Sequence, residues 1–217
     1  MWLILISLIS YLLGSIPFSY LVARAFGKNL YEVGSKNIGA ANVYRATGKA
    51  EATILALAGD IGKGGLAVAL AKGLACLGGY NPILGQTLAA FFVVLGHNWP
   101  IFLKFKGGRG LASLAGVILF LKWQVLILVL IVIGFFIFIT ELIMKKGIKL
   151  TGSGKEKIKS LISIFISQIL GRVIGMALAV ILIFFLYPDV FKIAFPAVIL
   201  TGIKHIKRTK TFLEERV

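Results

Sequence analysis

Seven apolar stretches, at residues 2–23, 52–79, 83–103, 108–121, 123–144, 160–187 and 189–206, leave this chain little room for anything except membrane-spanning helices. About 20 mainly apolar residues in helical form cross a bilayer core. Of the 217 residues, 59% are hydrophobic and only 15% are charged, whereas a soluble domain carries about 25% charge. The expected fold is an all-α integral membrane protein of about seven transmembrane helices, with residues 1–217 forming a single polytopic membrane domain. The break between the fourth and fifth stretches rests on a tight turn at Leu121, Lys122 and Trp123. The first stretch has no basic residue ahead of it and no small-residue cleavage signal, so it is expected to be a retained span rather than a secretory leader.

The segments between these stretches alternate in charge. Arg24, Lys28, Lys36, Arg45 and Lys49 fall in the first, Lys104, Lys106 and Arg109 in the third, and Lys145, Lys146, Lys149, Lys155, Lys157 and Lys159 in the fifth. Lys204, Lys207, Arg208, Lys210 and Arg216 lie in the tail, while the intervening segments hold only Lys72, Lys122 and Lys192. Basic loops stay in the cytoplasm, which places the N-terminus outside, the C-terminus inside, and every cation-rich loop at the cytoplasmic face. The net charge of +16 then serves orientation and attraction to anionic lipid, and membrane lipid rather than nucleic acid is the expected partner. Cys76 is the only cysteine. No disulfide within the chain and no cysteine-rich metal motif is possible, and neither a metal nor a cofactor is expected.

Two polar segments differ from ordinary connectors. The first, Gly34-Ser35-Lys36-Asn37-Ile38-Gly39-Ala40-Ala41-Asn42-Val43-Tyr44-Arg45, combines glycines, a hydroxyl, carboxamides and cations. Glycines let main-chain N–H groups approach an anion, and the Arg45 guanidinium is a planar fork suited to phosphate. The second runs from Gly96-His97-Asn98-Trp99-Pro100 to Lys104-Phe105-Lys106-Gly107-Gly108-Arg109-Gly110, directly ahead of an apolar stretch. Its last residues would sit at a helix N-terminus, where free N–H groups and the helix dipole favour an anion. No Gly-x-x-x-x-Gly-Lys-Ser/Thr occurs, so a nucleotide-driven pump has no support. Asp60 and Lys63, three apart on one face of the second stretch, are expected to face the bundle, as a self-neutralising pair or as support for the site. Gly171 and Gly175 form a small-xxx-small pattern of close helix packing. His97 is expected to orient its loop by hydrogen bonding.

These two segments, with Asp60-Ile61-Gly62-Lys63-Gly64 between them in order and spacing, resemble the bacterial acyl-phosphate-dependent glycerol-3-phosphate acyltransferases. The resemblance implies a seven-helix enzyme of the inner membrane that moves a fatty acyl group from acyl phosphate to glycerol 3-phosphate, giving lysophosphatidic acid and phosphate. On the family's first motif fall Ser35, Asn37, Gly39, Asn42 and Arg45, and on its second His97, Pro100, Lys106, Gly107, Gly108, Arg109 and Gly110. Ser160 and Ser163 match a third block that contributes hydroxyls, and Lys204-His205 is nearest to a histidine near the end of the last helix.

The chain departs from the family's pattern at Lys36, where the motif has glycine, at Ala41 for threonine and Arg109 for lysine, and in the tail, where aligning on His205 puts Arg208 in place of an asparagine and shifting by three puts His205 itself in the asparagine's position. The resemblance implies catalytic roles for Ser35, Arg45, Arg109, Ser160, Ser163 and His205. Substrate binding is expected of Asn37, Gly39, Asn42, Lys104, Lys106, Gly107, Gly108 and Gly110, structural support of Asp60, Lys63 and His97, and the chain is expected to be a monomer. The His-x-x-x-x-Asp pattern of thioester-using acyltransferases is absent, since Phe102 follows His97 and Lys210 follows His205 at that spacing; this favours acyl phosphate as donor. Two other functions fit the same residues, a transporter of a phosphorylated solute and a weakly active, lipid-binding paralogue.

Overall fold

The computed structural model describes the backbone of residues 1–143, 154 and 170–214, with side chains through His205 except at Glu141, Ile143, Leu170 and Arg172. Every regular element among the described residues is helical. In chain order these are α1 (Trp2–Ser15), α2 (Phe18–Ala25), α3 (Ala40–Thr47), α4 (Ala50–Leu77), α5 (Pro82–Asn98), a 3-10 turn (Ile101–Leu103), α6 (Leu111–Leu121), α7 (Trp123–Ile143), α8 (Leu170–Leu186) and α9 (Pro188–Glu214). Four stretches are long and apolar enough to cross a membrane: Trp2–Ala25, Ala50–Leu77, Pro82–Leu103 and Trp123–Thr140. Leu111–Leu121 and Val173–Leu186 are shorter apolar helices. Ser160 and Ser163 lie outside the described residues.

The chain forms two compact units, Met1–Lys122 with Lys192–Val217, and Trp123–Phe191. In the first unit, the apolar stretch expected as one span is two helices. Ile16 turns extended (ψ 114) and Pro17, which has no N–H to donate and clashes with a continuing helix, separates α1 from α2. The break frees the Ile16 carbonyl, which accepts hydrogen bonds from Phe18 N–H at 3.1 Å and from the Lys63 ammonium at 2.7 Å. Broken backbone is tolerated at membrane depth where protein groups satisfy it in this way.

In lipid, helices gain little from hiding apolar surface and associate through close backbone contact. Gly14 of α1 lies against the Val93 backbone of α5, and Gly96 of α5 against Tyr11 and Ser15 of α1. Gly64 of α4 and Gly116 of α6 do the same, facing the Ser113 and Ile61 carbonyls. On the outer face of α4, Ile54, Leu55, Leu66 and Leu70 are exposed, which suits contact with acyl chains. A small core of Ala23, Leu30, Ile38, Val43, Ala52 and Ala56 holds α2, α3 and the segment between them onto α4. Fully buried Asn98 fastens α9 to the end of α5, its amide donating to the Leu200 carbonyl at 3.3 Å.

In the second unit α7 packs on α8. Gly171 meets Phe136, Ile137 and Thr140, and Gly175 meets Ile133 at 2.8 Å from where a Cβ would stand, so the small-xxx-small pattern marks a close helix crossing. At Lys122 the backbone is extended (φ −162, ψ 99), which ends α6 where the sequence places a turn.

Candidate active site

The segment ahead of α3 is shaped by one side chain. Asn42, 1% exposed, donates from its amide to the Leu30 carbonyl at 3.2 Å and the Val33 carbonyl at 3.0 Å. Its Oδ1 accepts from the Ser35 N–H at 2.9 Å. Both ends of the carboxamide are therefore engaged in holding the loop, and Asn42, grouped with the substrate-binding residues from sequence, is a staple that positions Ser35. Gly34 (φ 61) is left-handed; a Cβ there would run into Asn42 and stand 3.3 Å from the Arg45 Cβ and 3.5 Å from its Cδ. The stem of Arg45, an exposed residue in the last turn of α3, thus lies across the Gly34-Ser35 turn. Ser35, Asn37 and Gly39 are half-buried.

The second segment folds back onto the end of α5. The Gly108 N–H donates to the His97 carbonyl at 3.0 Å. A Cβ on Gly107 would collide with the His97 carbonyl and Pro100, and one on Gly108 with the His97 imidazole and the Ile38 carbonyl. Gly110 (φ 80) caps α6, and a Cβ there would stand 2.7 Å from Val94, 3.0 Å from Asn98 Oδ1 and 3.1 Å from Thr201 Oγ1. The glycines let the Lys106 to Gly110 backbone lie against α5 and α9 as it enters α6. Lys104 and Lys106 are exposed and Arg109 is half-buried. Tyr31 ties the two segments together, its phenol donating to the Lys106 carbonyl at 2.7 Å. Burial, and secondarily the Tyr20 phenol beside it, raise the Tyr31 pKa, which keeps that donor proton in place.

Beneath both segments lies a buried polar cluster. Asp60 and Lys63, 1% and 4% exposed, pair at 2.8 Å. Asp60 also accepts from Ser19 Oγ at 2.6 Å and stands 3.5 Å from His97 Nδ1, which Ser113 Oγ meets at 3.1 Å. A small cleft opens here. Its walls come from the α1–α2 break (Ser15, Pro17, Ser19), from Ile38, from Asp60 and Lys63, and from His97, Pro100, Gly107 and Gly108. All three sequence blocks therefore meet at one place. Ser35, Arg45, Lys104, Lys106 and Arg109 are not in those walls; they belong to the two segments above. His205 is half-buried on α9, and its neighbour Lys204 sets its ammonium 4.5 Å over the Trp99 ring.

Sequence reasoning passed over Ser15, Ser19, Tyr31, Asn98 and Ser113. The signal for Ser15 and Ser19 was the Ser-Ile-Pro-Phe-Ser interruption of an otherwise apolar stretch. Ser113 had none beyond being a hydroxyl in a span. Among the described residues no group of three or more histidine, cysteine, aspartate or glutamate side chains could hold a metal ion.

Comparison with known proteins gives a consistent answer. Residues 4–215 match the family described as glycerol-3-phosphate acyltransferase. A glycerol-3-phosphate acyltransferase of Carboxydothermus hydrogenoformans is 41% identical over 149 residues, 68% of this chain and 70% of that protein. One from Jannaschia sp. is 47% identical over 125 residues, 56% of this chain, and the matched stretch spans 57% of the relative's length. The fold resembles the crystal structure of PlsY (YgiH), an integral membrane glycerol 3-phosphate acyltransferase, in its glycerol 3-phosphate form, with a TM-score of 0.71 and 26% identity over 99% of this chain and 93% of that one. Its lysophosphatidic acid form gives a TM-score of 0.70 at 25% identity over the same shares. An all-helical membrane fold, a family match along nearly the whole chain and the meeting of three motif blocks at one cleft agree: the chain belongs to the glycerol-3-phosphate acyltransferase family.

Proposed function

We propose that this protein transfers a fatty acyl group from acyl phosphate to glycerol 3-phosphate at the cytoplasmic face of the inner membrane, giving lysophosphatidic acid and inorganic phosphate. The observation that carries the reading is the stacking of two cation-bearing, glycine-shaped segments over one cleft, joined by the Tyr31–Lys106 hydrogen bond. The PlsY structures, in glycerol 3-phosphate and lysophosphatidic acid forms, support a glycerol 3-phosphate acceptor and a lysophosphatidic acid product for the relative this chain resembles. Four helical stretches long and apolar enough to cross a membrane, together with the shorter apolar helices α6 and α8 and the long α9, support a polytopic fold of about seven spans. The run of cations in alternate connectors supports an outside N-terminus and a cytoplasmic C-terminus.

An acyl phosphate is a mixed anhydride, so the leaving group is already good. The hydroxyl oxygen of glycerol 3-phosphate attacks the acyl carbon, the bond from that carbon to the phosphate oxygen breaks, and phosphate departs with the electron pair. The proton of the attacking hydroxyl passes to His205 or to a phosphate oxygen of a substrate. Little is asked of the protein beyond holding two anions together and neutralising their charge. The Lys106 to Gly110 segment, with Arg109 and the N-terminus of α6, takes the donor's phosphate. Arg45 and Lys104 clamp the acceptor, with Ser35, Asn37 and Gly39 lining its approach. Asp60, Lys63 and His97 support the floor, and the acyl chain lies between helices, open to lipid.

Purified protein in lipid vesicles should release phosphate only when palmitoyl phosphate and glycerol 3-phosphate are both present, and not with palmitoyl coenzyme A as donor. Silence under conditions where a homologue turns over would discard the reading.

A further inference from the structure

Among the described residues, three that are not glycine hold left-handed backbone: Lys36 (φ 53), Lys104 (φ 50) and Phe105 (φ 62). None is the asparagine or aspartate that tolerates this region best, and such strain persists only where its surroundings impose it. All three fall in the two cationic segments, and each segment contributes one lysine. Lys104 is already placed at the acceptor; Lys36 has no role so far. Its turn is fixed from both sides. The Lys36 N–H donates to the Val33 carbonyl at 3.2 Å, and the preceding Ser35 N–H is held by buried Asn42 at 2.9 Å. Gly34, two residues earlier, underlies the stem of Arg45, and Ile38, two residues later, walls the cleft. The conformation at 36 is thus dictated by the loop, and glycine would be its least strained occupant. Lysine there is exposed and adds a second cation to the turn that Arg45 already crosses.

We propose that Lys36 is a specificity-determining residue for the phosphorylated acceptor, an ammonium that joins Arg45 in engaging the phosphate of glycerol 3-phosphate. The inference rests on the acyltransferase reading above. It separates two demands on one residue, since the backbone favours glycine and the ligand favours a cation. Replacing the lysine should therefore relieve strain and weaken the acceptor together, a combination that a purely structural lysine does not produce.

The test compares wild type with Lys36→Gly, Lys36→Gln and Lys36→Arg in lipid nanodiscs, measuring melting temperature, kcat, and KM for each substrate. Lys36→Gly should melt at or above the wild-type temperature while its KM for glycerol 3-phosphate rises about tenfold, the scale of one charge-assisted hydrogen bond, with kcat and the KM for palmitoyl phosphate held. Lys36→Gln should show the same KM rise, and Lys36→Arg should stay near wild type. Equal KM values for wild type, Lys36→Gly and Lys36→Gln overturn the inference and leave the acyltransferase reading standing. Should the wild type fail to turn over, that reading falls, and calorimetric titration with glycerol 3-phosphate decides the inference. Weaker binding by Lys36→Gly supports it, and equal or absent binding overturns it.

Discussion

The floor of the site and the two segments above it treat charge in opposite ways. Below, Asp60 and Lys63 are withdrawn from solvent and paired with each other at 2.8 Å, with Ser19 adding a hydrogen bond to the carboxylate. Above, Arg45, Lys104 and Lys106 are exposed and Arg109 half-buried, and the segments from Gly34 to Arg45 and from Gly96 to Gly110 contain no acidic residue. A self-neutralised pair organises structure and has little attraction left for an incoming anion. Cations in segments that carry no acid of their own favour an incoming anion, and they depend on the floor to keep their places. The floor should therefore govern folding, and the upper segments turnover.

Removing one member of the buried pair gives the largest effect. Asp60→Ala leaves the Lys63 ammonium uncompensated, which costs about 3–5 kcal/mol, and should show as a collapse of the melting temperature and of folded protein recovered by size exclusion. Replacing both, as Asp60→Leu with Lys63→Met, should restore much of that loss, since an apolar pair of similar size removes the uncompensated charge. A double variant as unstable as Asp60→Ala would mean that the pair does more than neutralise itself. Next in size, Gly108→Ala forces a methyl group into the His97 ring and the Ile38 carbonyl. Displacing the loop by about 1 Å should lower phosphate release roughly 100-fold.

The cations sharpen the comparison from the other side. Arg109→Ala and Arg45→Ala should each lower kcat/KM by about 10- to 100-fold, the range of a lost charge-assisted hydrogen bond. Lys72→Ala, about 18 Å along α4 from Asp60 by helical rise, should leave the rate alone. Equal rates for the three variants would remove the distinction between the two cationic segments and the rest of the surface. Smallest is Tyr31→Phe, which loses the link to the Lys106 carbonyl and should cost about 1 kcal/mol, visible as a modest rise in KM with kcat retained.

Much of this architecture was legible because lipid imposes a simple rule: apolar stretches long enough to span stand out from polar connectors, and glycines ahead of α6 announce a backbone that must come close to something. What they come close to was not legible. The His97 ring beneath Gly108 and the Gly14–Gly96 and Gly64–Gly116 crossings are tertiary contacts between residues far apart in sequence. The split of the first span at Pro17 was announced only by the Ser-Ile-Pro-Phe-Ser interruption, and a membrane helix can carry a proline without separating into two. Asn42 looked like a ligand group because a carboxamide in a cationic loop has two uses, and only the Leu30 and Val33 carbonyls within its reach decide between them. Ser19 and Ser113 carry a hydroxyl that in a span resembles an ordinary packing residue until a buried carboxylate or imidazole is found beside it.

The claim at the centre is that the two segments hold two phosphorylated molecules at once. Equilibrium binding of labelled glycerol 3-phosphate to the purified protein, repeated with rising palmitoyl phosphonate as a donor that cannot react, tests it most directly. Both ligands should bind together, with Arg45→Ala weakening the first and Arg109→Ala the second. Displacement of glycerol 3-phosphate by the phosphonate, as in competition for one anion site, would contradict it.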